Sequence, residues 1–245
     1  MSKAWFETWF DTHYYHLLYR HRNEVEARQF IDALLRFLDP EPNATFIDIA
    51  CGKGRHARYL RSQGFDVTGI DLSTNSIEEA RAASSGDPGI HFLVHDIREP
   101  FPVEHLDYAV NLFTSFGYFD DHAQHQEALN HIHTCLQPGG RFVLDFLNTS
   151  EVLQSLKRED HQTIDGVDFK ITRRVDQANI IKEIEVHDGS EVHHFEERVR
   201  AFTKDQLVEL LERFGFEVKE VFGNYQLASY AENSPRVVII AQKKA

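Results

Sequence analysis

Residues 46–56 read FIDIACGKGRH, and this stretch decides the fold. Residues 45–50 have the apolar pattern of a buried strand, Gly52 and Gly54 favour a tight turn, and residues 55–63 have the pattern of a helix. The backbone N–H groups at the start of such a helix have no partner within it, and glycine has no side chain to keep a ligand away from them. The stretch therefore predicts a strand, a ligand-binding turn and a helix.

Alternating strands and helices surround this junction. Strands alternating with helices of about ten residues build parallel sheets with helices on both faces. We therefore predict an α/β fold with a seven-stranded, mostly parallel sheet. Its further strands are expected at residues 65–70, 90–95, 106–113, 141–147, 216–222 and 236–242, and its helices at 74–83, 122–136 and 203–215.

The N-terminal residues are helical and unusually aromatic. Trp5, Trp9 and Tyr14 belong to a stripe with spacings of one, three and four that predicts a single helix over residues 5–18. Residues 24–38 predict a second helix, which ends before Pro40.

A different pattern begins near residue 161. Three segments are strand-like, and the pairs Asp165-Gly166 and Asp188-Gly189 favour hairpin turns between them. The segments are residues 167–175, 179–187 and 191–200. The chain is thus expected to contain a helical N-terminal cap at 1–40, a core at 41–160, an antiparallel β insert at 161–201 and the C-terminal part of the core at 202–245.

Composition excludes several classes of function. The 26 Lys and Arg against 39 Asp and Glu give a net charge of −13, which disfavours a nucleic-acid partner. No apolar run reaches the roughly 20 residues needed to cross a bilayer. The two cysteines, Cys51 and Cys135, cannot form a disulfide framework. We expect a cytoplasmic protein that is a monomer or a homodimer. Its expected partner is a small molecule, and it is not expected to associate with a membrane.

Asp71 ends the second predicted strand. At this separation from the glycine turn, a carboxylate can bind both hydroxyls of a ribose held at the turn. Residues 52–57 also satisfy G-x-G-x-x-A, so an NAD(P)-dependent oxidoreductase is one alternative. A second alternative is that Gly52 and Gly54 only form a tight turn and Asp71 only caps the following helix, with no ligand bound at either.

Four landmarks in order resemble the class I S-adenosylmethionine-dependent methyltransferases. Residues 48–54, DIACGKG, match D-x-A/G-x-G-x-G; Asp71 ends the second strand; Asp96 and Ile97 follow the third; and residues 136–140, LQPGG, precede the fifth. Ala50 stands where the commonest pattern has glycine. The resemblance implies a Rossmann-like fold and S-adenosylmethionine as cofactor, with S-adenosylhomocysteine as product. The implied cofactor-binding residues are Tyr14, Tyr19, Asp48, Ala50, Cys51, Gly52, Gly54, Asp71, Leu72, Asp96, Ile97, Asn111 and Leu112.

Residues 110–119, VNLFTSFGYF, include the end of the fourth predicted strand and the loop after it. They narrow the class of acceptor molecule. DNA amino-methyltransferases of this class carry a (D/N/S)-P-P-(Y/F) tetrad here, whereas this chain has no proline between Pro102 and Pro138. The run is similar to the small-molecule branch that includes the desosamine-type amino-sugar N-methyltransferases. The implied reaction is in-line methyl transfer to a nitrogen or oxygen. A protein that binds the cofactor without catalysis remains an alternative.

Catalytic side chains are not identified by the sequence. Tyr14, Tyr118 and Asn148 are candidates for a base or an acceptor-orienting group, because they lie near predicted strand ends or in the cap. The same reasoning adds Tyr15, Tyr19, Asn111, His187, His193 and Tyr225. The 15 histidines join no cysteine or carboxylate pair at metal-ligand spacing, so no metal is expected.

Overall fold

A computed structural model describes residues 4–20, 24–176 and 178–244. Within these residues the chain forms eight helices and eleven strands. The N-terminal helices are α1 (Trp5–Trp9), α2 (His13–Leu18) and α3 (Glu24–Leu38). The core continues with β1 (Thr45–Ile49), α4 (Arg55–Ser62), β2 (Asp66–Asp71), α5 (Thr74–Ala83), β3 (Ile90–Val94), β4 (Leu106–Asn111), α6 (His122–Cys135) and β5 (Leu136–Leu147).

The remaining elements complete a second sheet and return to the first. They are α7 (Thr149–Gln154), β6 (Glu159–Ile164), β7 (Val167–Asp176), β8 (Asn179–Asp188), β9 (Glu191–Arg200), α8 (Lys204–Arg213), β10 (Phe216–Phe222) and β11 (Arg236–Lys243). The larger sheet has the strand order β10-β11-β5-β4-β1-β2-β3, and the smaller one β6-β7-β8-β9. In the larger sheet only the contacts of β11, with β5 and β10, are antiparallel among the described strands.

Helices cover both faces of the larger sheet. Neighbouring residues of one strand, such as Phe46 and Ile47, belong to separate buried clusters, because successive side chains of a strand point to opposite faces. Phe142 and Val143 on β5 divide in the same way. The predicted α/β fold with a seven-stranded, mostly parallel sheet is confirmed.

The prediction of a single helix over residues 5–18 was wrong. Two short helices form instead, because Thr12 lies between them with extended backbone and its Oγ1 accepts a hydrogen bond from Tyr15 N–H at 3.1 Å. Such a side-chain cap starts a new helix and competes with continuation of the first. The helical pattern was right, but the cap interrupts it.

The insert is a four-stranded antiparallel sheet, whereas the sequence predicted three strands. The additional strand, β6, pairs with β7 and alternates exposed and half-buried residues, so it has no apolar run. On one face, Phe169 pairs with Val186 and Ile171 with Ile184. Trp9 of α1 joins the same buried cluster, so the N-terminal helices pack on this face.

Within the described residues, none of the helices has the length and apolar composition needed to span a membrane.

Candidate functional site

A cavity of about 580 Å³ lies at the carboxyl ends of β1 to β4, the edge where parallel α/β sheets bind ligands. Residues at the ends of these strands and just after them form its floor, and residues of α1, α2 and the segments that adjoin them form its roof. The floor residues include Asp48, Ala50, Cys51, Gly52, Asp71, Leu72, Asp96, Ile97, Leu112 and Phe113, and the roof residues include Phe6, Phe10, Asp11, Tyr15, His16 and Tyr19.

The glycine turn leaves space for a ligand. Ala50, Gly52 and Gly54 have φ angles of +58°, +54° and +74°, so the chain turns sharply through the left-handed region. A β-carbon at Gly52 would meet nothing within 4 Å, whereas one at Gly54 would lie 2.4 Å from the ring of Phe92. Gly52 therefore faces open space in the cavity, and Gly54 is required for packing of the turn on Phe92.

Asp48 is a buried acid at the end of β1. Its side chain is 1% exposed, and its Oδ2 accepts a hydrogen bond from Ala57 N–H in the first turn of α4 at 3.1 Å. Burial raises the pKa of Asp48 to about 7, against the lowering effects of that hydrogen bond and of Arg55. A cation in the cavity would favour the charged carboxylate.

Asp71 ends β2 and binds two separate backbone groups. Oδ2 accepts a hydrogen bond from Gly52 N–H at 2.8 Å, and Oδ1 accepts one from Ser73 N–H at 2.8 Å. Burial raises the pKa of Asp71, although both hydrogen bonds oppose this change. The carboxylate is thereby held at the cavity wall beside the glycine turn.

Asp96 follows β3 and is paired with Arg98. Its Oδ1 accepts hydrogen bonds from Arg98 N–H at 2.9 Å and Nε at 3.0 Å. Burial raises the pKa of Asp96, but the hydrogen bonds from Arg98 outweigh it and hold this pKa below its usual value. The Arg98 guanidinium lies 5.5 Å from the ring of Phe6 and 5.2 Å from that of Phe119, so it links Asp96 to the roof residue Phe6.

The N-terminal helices are attached to the start of α5 on one side and to the smaller sheet on the other. Asp11, between α1 and α2, accepts hydrogen bonds from Ser73 Oγ at 2.5 Å and from Asn75 Nδ2 at 3.0 Å, at the start of α5. On the other side, Glu197 of β9 accepts hydrogen bonds from Trp9 Nε1 and Tyr19 OH, both at 2.7 Å. These contacts close the roof over the cavity.

The structure brings most of the predicted cofactor residues together. Ten of them line the cavity: Tyr19, Asp48, Ala50, Cys51, Gly52, Asp71, Leu72, Asp96, Ile97 and Leu112. Three lie outside its lining, which are Tyr14, Gly54 and Asn111. Asn111 Nδ2 donates to the carbonyl of Ile49 at 3.0 Å, and so ties the ends of β4 and β1 together beneath the cavity floor.

The catalytic candidates divide in the same way. Tyr15 and Tyr118 line the cavity, whereas Asn148, His187, His193 and Tyr225 do not. Tyr14 donates to Asp188 Oδ2 at 3.2 Å and packs on His193, on the insert sheet. Asn148 Nδ2 donates to the carbonyls of Glu232 and Ser234, which gives this side chain a structural role.

Several cavity residues were missed by the sequence predictions. His56 is 5% exposed and stacks on Phe113 with ring centroids 5.2 Å apart. Burial, followed by the neighbouring Arg55, holds the pKa of His56 well below its usual range, so its imidazole is neutral. Its place in the first turn after the glycine motif was a usable signal, because that turn faces the ligand edge of the sheet. Asp11 and His16 had no comparable signal.

Neither cysteine has the environment of a reactive thiol. Burial raises the pKa of the Cys51 thiol well above its ordinary value, and that of Cys135 to about 12. Among the described residues, no three His, Cys, Asp or Glu side chains come together in a way that could hold a metal ion.

Comparisons with known proteins agree with this geometry. Residues 19–221 match the family described as the methyltransferase domain. The dTDP-3-amino-3,4,6-trideoxy-alpha-D-glucopyranose N,N-dimethyltransferase of Streptomyces venezuelae is 27% identical over 194 residues, which are 74% of this chain and 78% of that protein. The malonyl-acyl-carrier protein O-methyltransferase of Salmonella typhimurium (strain LT2) is 33% identical over 111 residues, which are 44% of this chain and 41% of that protein.

The fold is also similar to solved structures. The crystal structure of an S-adenosylmethionine-dependent methyltransferase from Clostridium acetobutylicum has a TM-score of 0.81 at 18% identity, and the match covers 95% of this chain and 97% of that one. None of these comparisons supports the oxidoreductase alternative. The family match spans the glycine turn, Asp48, Asp71, Asp96 and the whole insert, so the chain belongs to the methyltransferase domain family and is an S-adenosylmethionine-dependent methyltransferase.

Proposed function

We propose that this enzyme transfers the methyl group of S-adenosylmethionine to a nitrogen or oxygen of a small-molecule acceptor held in the same cavity. The observation that carries the proposal is the convergence of Asp48, Asp71 and Asp96, from three strand ends, beside the open turn at Gly52. A cavity of about 580 Å³ is within the usual range for small-molecule sites.

The lining residues fit the chemical parts of this cofactor. Gly52 lets a ligand approach the backbone, and the buried Asp48 suits the methionine ammonium group. Asp71 has remaining lone pairs for ribose hydroxyls, and Asp96 with Ile97 is proposed to face the adenine. Tyr19, Ala50, Cys51, Leu72 and Leu112 complete the proposed binding residues. Tyr14, Gly54 and Asn111 are proposed to act through packing instead.

The proposed reaction requires the protein mainly to position the two reactants. When bound, S-adenosylmethionine supplies an already activated methyl group, because its sulfonium leaves as a neutral thioether. The chain then has to align the acceptor and exclude water. Tyr15, Tyr118 and the neutral His56 line the cavity and are the proposed groups for orienting the acceptor.

The acceptor is proposed to be a small amine or alcohol. The relative from Streptomyces venezuelae acts, by its name, on an amino sugar, and the Salmonella relative is an O-methyltransferase. The net charge of −13 favours a cationic acceptor and disfavours nucleic acid and anionic membranes as partners. We propose a cytoplasmic monomer or homodimer; both cysteines are free and buried, as is usual in a reducing compartment.

Calorimetric titration tests the cofactor assignment. The purified protein is titrated with S-adenosylhomocysteine, and NAD and NADP are run beside it. Micromolar binding of S-adenosylhomocysteine alone is expected, and binding of a nicotinamide alone would contradict the proposal. Transfer of a labelled methyl group to a panel of amino sugars, other amines and hydroxy acids then tests the acceptor, and a protein that binds the cofactor but methylates none of them would favour the non-catalytic alternative.

A further inference from the structure

The loop after β4 has a backbone conformation that needs outside support. Phe113 and Thr114 have φ angles of +62° and +61°, in the left-handed region that residues with a β-carbon rarely adopt. Two such residues in succession are costly, and they persist only where surrounding groups hold them.

An ion pair between the buried Asp145 and the half-buried Arg236 holds this loop. Asp145 of β5 is 0% exposed; its Oδ2 accepts a hydrogen bond from Phe113 N–H at 2.7 Å, and its carbonyl oxygen accepts one from Thr114 N–H at 3.0 Å. Arg236, at the start of β11, donates from Nε to Asp145 Oδ1 and from Nη2 to Thr114 Oγ1, both at 2.8 Å. Because a guanidinium is planar and rigid, it can make both bonds only in one orientation.

The loop touches both the cavity and the roof. Leu112, Phe113, Ser115, Tyr118 and Phe119 line the cavity, whereas Thr114 and the ion pair do not. The Tyr118 hydroxyl donates to the carbonyl of Thr114. The ring of Tyr118 packs edge to face against Trp5 of α1, with centroids 5.2 Å apart. The conformation at Thr114 is therefore linked through Tyr118 to the N-terminal helix.

We propose that Asp145 and Arg236 are positioning residues, which hold the loop after β4 so that it forms one cavity wall and seats Trp5 above it. Their effect on methyl transfer rests on the proposed function, since it requires the cavity to be the reaction site. A wall fixed by these groups suits a reaction that depends on alignment of the two reactants.

Matched variants of Thr114 isolate the contact with Arg236. Thr114→Val keeps the shape of the side chain and leaves the ion pair in place, but removes the Oγ1 acceptor; Thr114→Ser retains that oxygen. Arg236→Lys keeps the charge but cannot reproduce the two-bond geometry. If Arg236→Lys does not fold, the two Thr114 variants decide the outcome.

The two tryptophans provide the readout. In ¹H–¹⁵N spectra of ligand-free protein labelled at tryptophan, the Trp5 indole signal is expected to move in Thr114→Val and Arg236→Lys but not in Thr114→Ser. The Trp9 signal, whose N–H donates to Glu197, is expected to stay in all three. Trp5→Phe and Trp9→Phe assign the signals.

Titration of the same variants with S-adenosylhomocysteine measures the effect on the cavity. The dissociation constant is expected to rise about fivefold in Thr114→Val, as for loss of one hydrogen bond, and to stay near the wild-type value in Thr114→Ser. An unmoved Trp5 signal, or equal dissociation constants in the valine and serine variants, would overturn the proposal. Failure of the wild type to bind would contradict the proposed function instead, and the Trp5 spectra would still test the loop.

Discussion

The carboxylate of Asp71 and the backbone N–H of Gly52 are joined by a 2.8 Å hydrogen bond, although 19 residues separate them in the sequence. The other oxygen of the same carboxylate accepts from Ser73 N–H, where α5 begins. Asp71 thus holds both the glycine turn and Ser73, the N-cap residue of α5, in place. The turn and the end of β2 form one preorganised unit, which reduces the ordering that a ligand has to induce.

Asp71→Asn is expected to weaken binding of S-adenosylhomocysteine by about tenfold or more, because it removes the charge that strengthens hydrogen bonds to ribose hydroxyls and to Gly52. Asp66→Asn changes an exposed acid at the other end of β2 and is the matched control. Calorimetry of both variants measures the difference. Equal affinities in the two variants would remove Asp71 from the binding site.

The two glycines of the turn are expected to respond differently to alanine. Gly54→Ala should lower the free energy of unfolding by about 2 kcal/mol or more, because its β-carbon would lie 2.4 Å from the Phe92 ring. Gly52→Ala should cost about 1 kcal/mol for its positive φ, but should weaken S-adenosylhomocysteine binding more than Gly54→Ala does. Thermal unfolding and calorimetry separate the two effects, and the opposite ranking would contradict the assigned roles.

The sequence was sufficient to predict the core fold because its signals are local. Short apolar runs mark the buried strands of the larger sheet, helical patterns mark the helices that cover it, and glycines mark turns between them. The same locality explains the missed strand β6, whose residues alternate only between exposed and half-buried positions. It also explains the division of the N-terminal helix, since the Thr12 cap competes with an otherwise continuous apolar stripe.

Site prediction was good where a residue follows a strand and poor where its position depends on tertiary contacts. Asp48 and Asp71 end their strands at the ligand edge, so chain order alone places them. Tyr14 and Asn148 depend on which neighbour accepts their hydrogen bonds, and those partners lie far away in sequence. The contact of Asp11 with Ser73 is equally remote, because 62 residues separate the two.

The affinity for S-adenosylhomocysteine is expected to rise with pH through about 7. Asp48 has a folded-state pKa of about 7 in the ligand-free protein, and only its ionised form attracts the ligand's ammonium group. Below pH 7 the ligand has to displace a proton, so the affinity should fall by up to about tenfold per pH unit. Asp48→Asn should bind weakly with a flatter profile, and an equally steep profile in this variant would assign the titration to another group.

Removal of the Asp11 contacts is expected to loosen the roof. Asp11→Ala deletes the acceptor for Ser73 Oγ and Asn75 Nδ2, so the dissociation rate of S-adenosylhomocysteine should rise about tenfold while the fold is retained. Stopped-flow displacement measures this rate. Asp176→Ala removes an exposed ion pair with Arg174, away from the cavity, and is the control, because such pairs contribute little. Identical rates in both variants would exclude Asp11 as an anchor of the roof.

His125 is expected to make stability depend on pH below about 6.5. Its ring is 1% exposed among Phe116, Phe119 and Phe202, and burial lowers its pKa to about 4. Between pH 6.5 and 4 the unfolded chain binds a proton that the folded protein does not, so the stability due to this group falls as the pH falls, by on the order of 3 kcal/mol.

Asp48 acts in the opposite direction, since its raised pKa makes the folded state hold a proton between about pH 4 and 7. The free energy of unfolding of the wild type therefore changes with pH through both groups. Its difference from that of His125→Phe isolates the contribution of the histidine. Urea unfolding of both proteins at pH 4.5, 5.5 and 7 measures this difference. The free energy of unfolding of the variant should increase relative to that of the wild type as the pH falls. His91→Gln, at an exposed position of β3, should parallel the wild type; a pH-independent difference for His125→Phe would show that only packing is lost there.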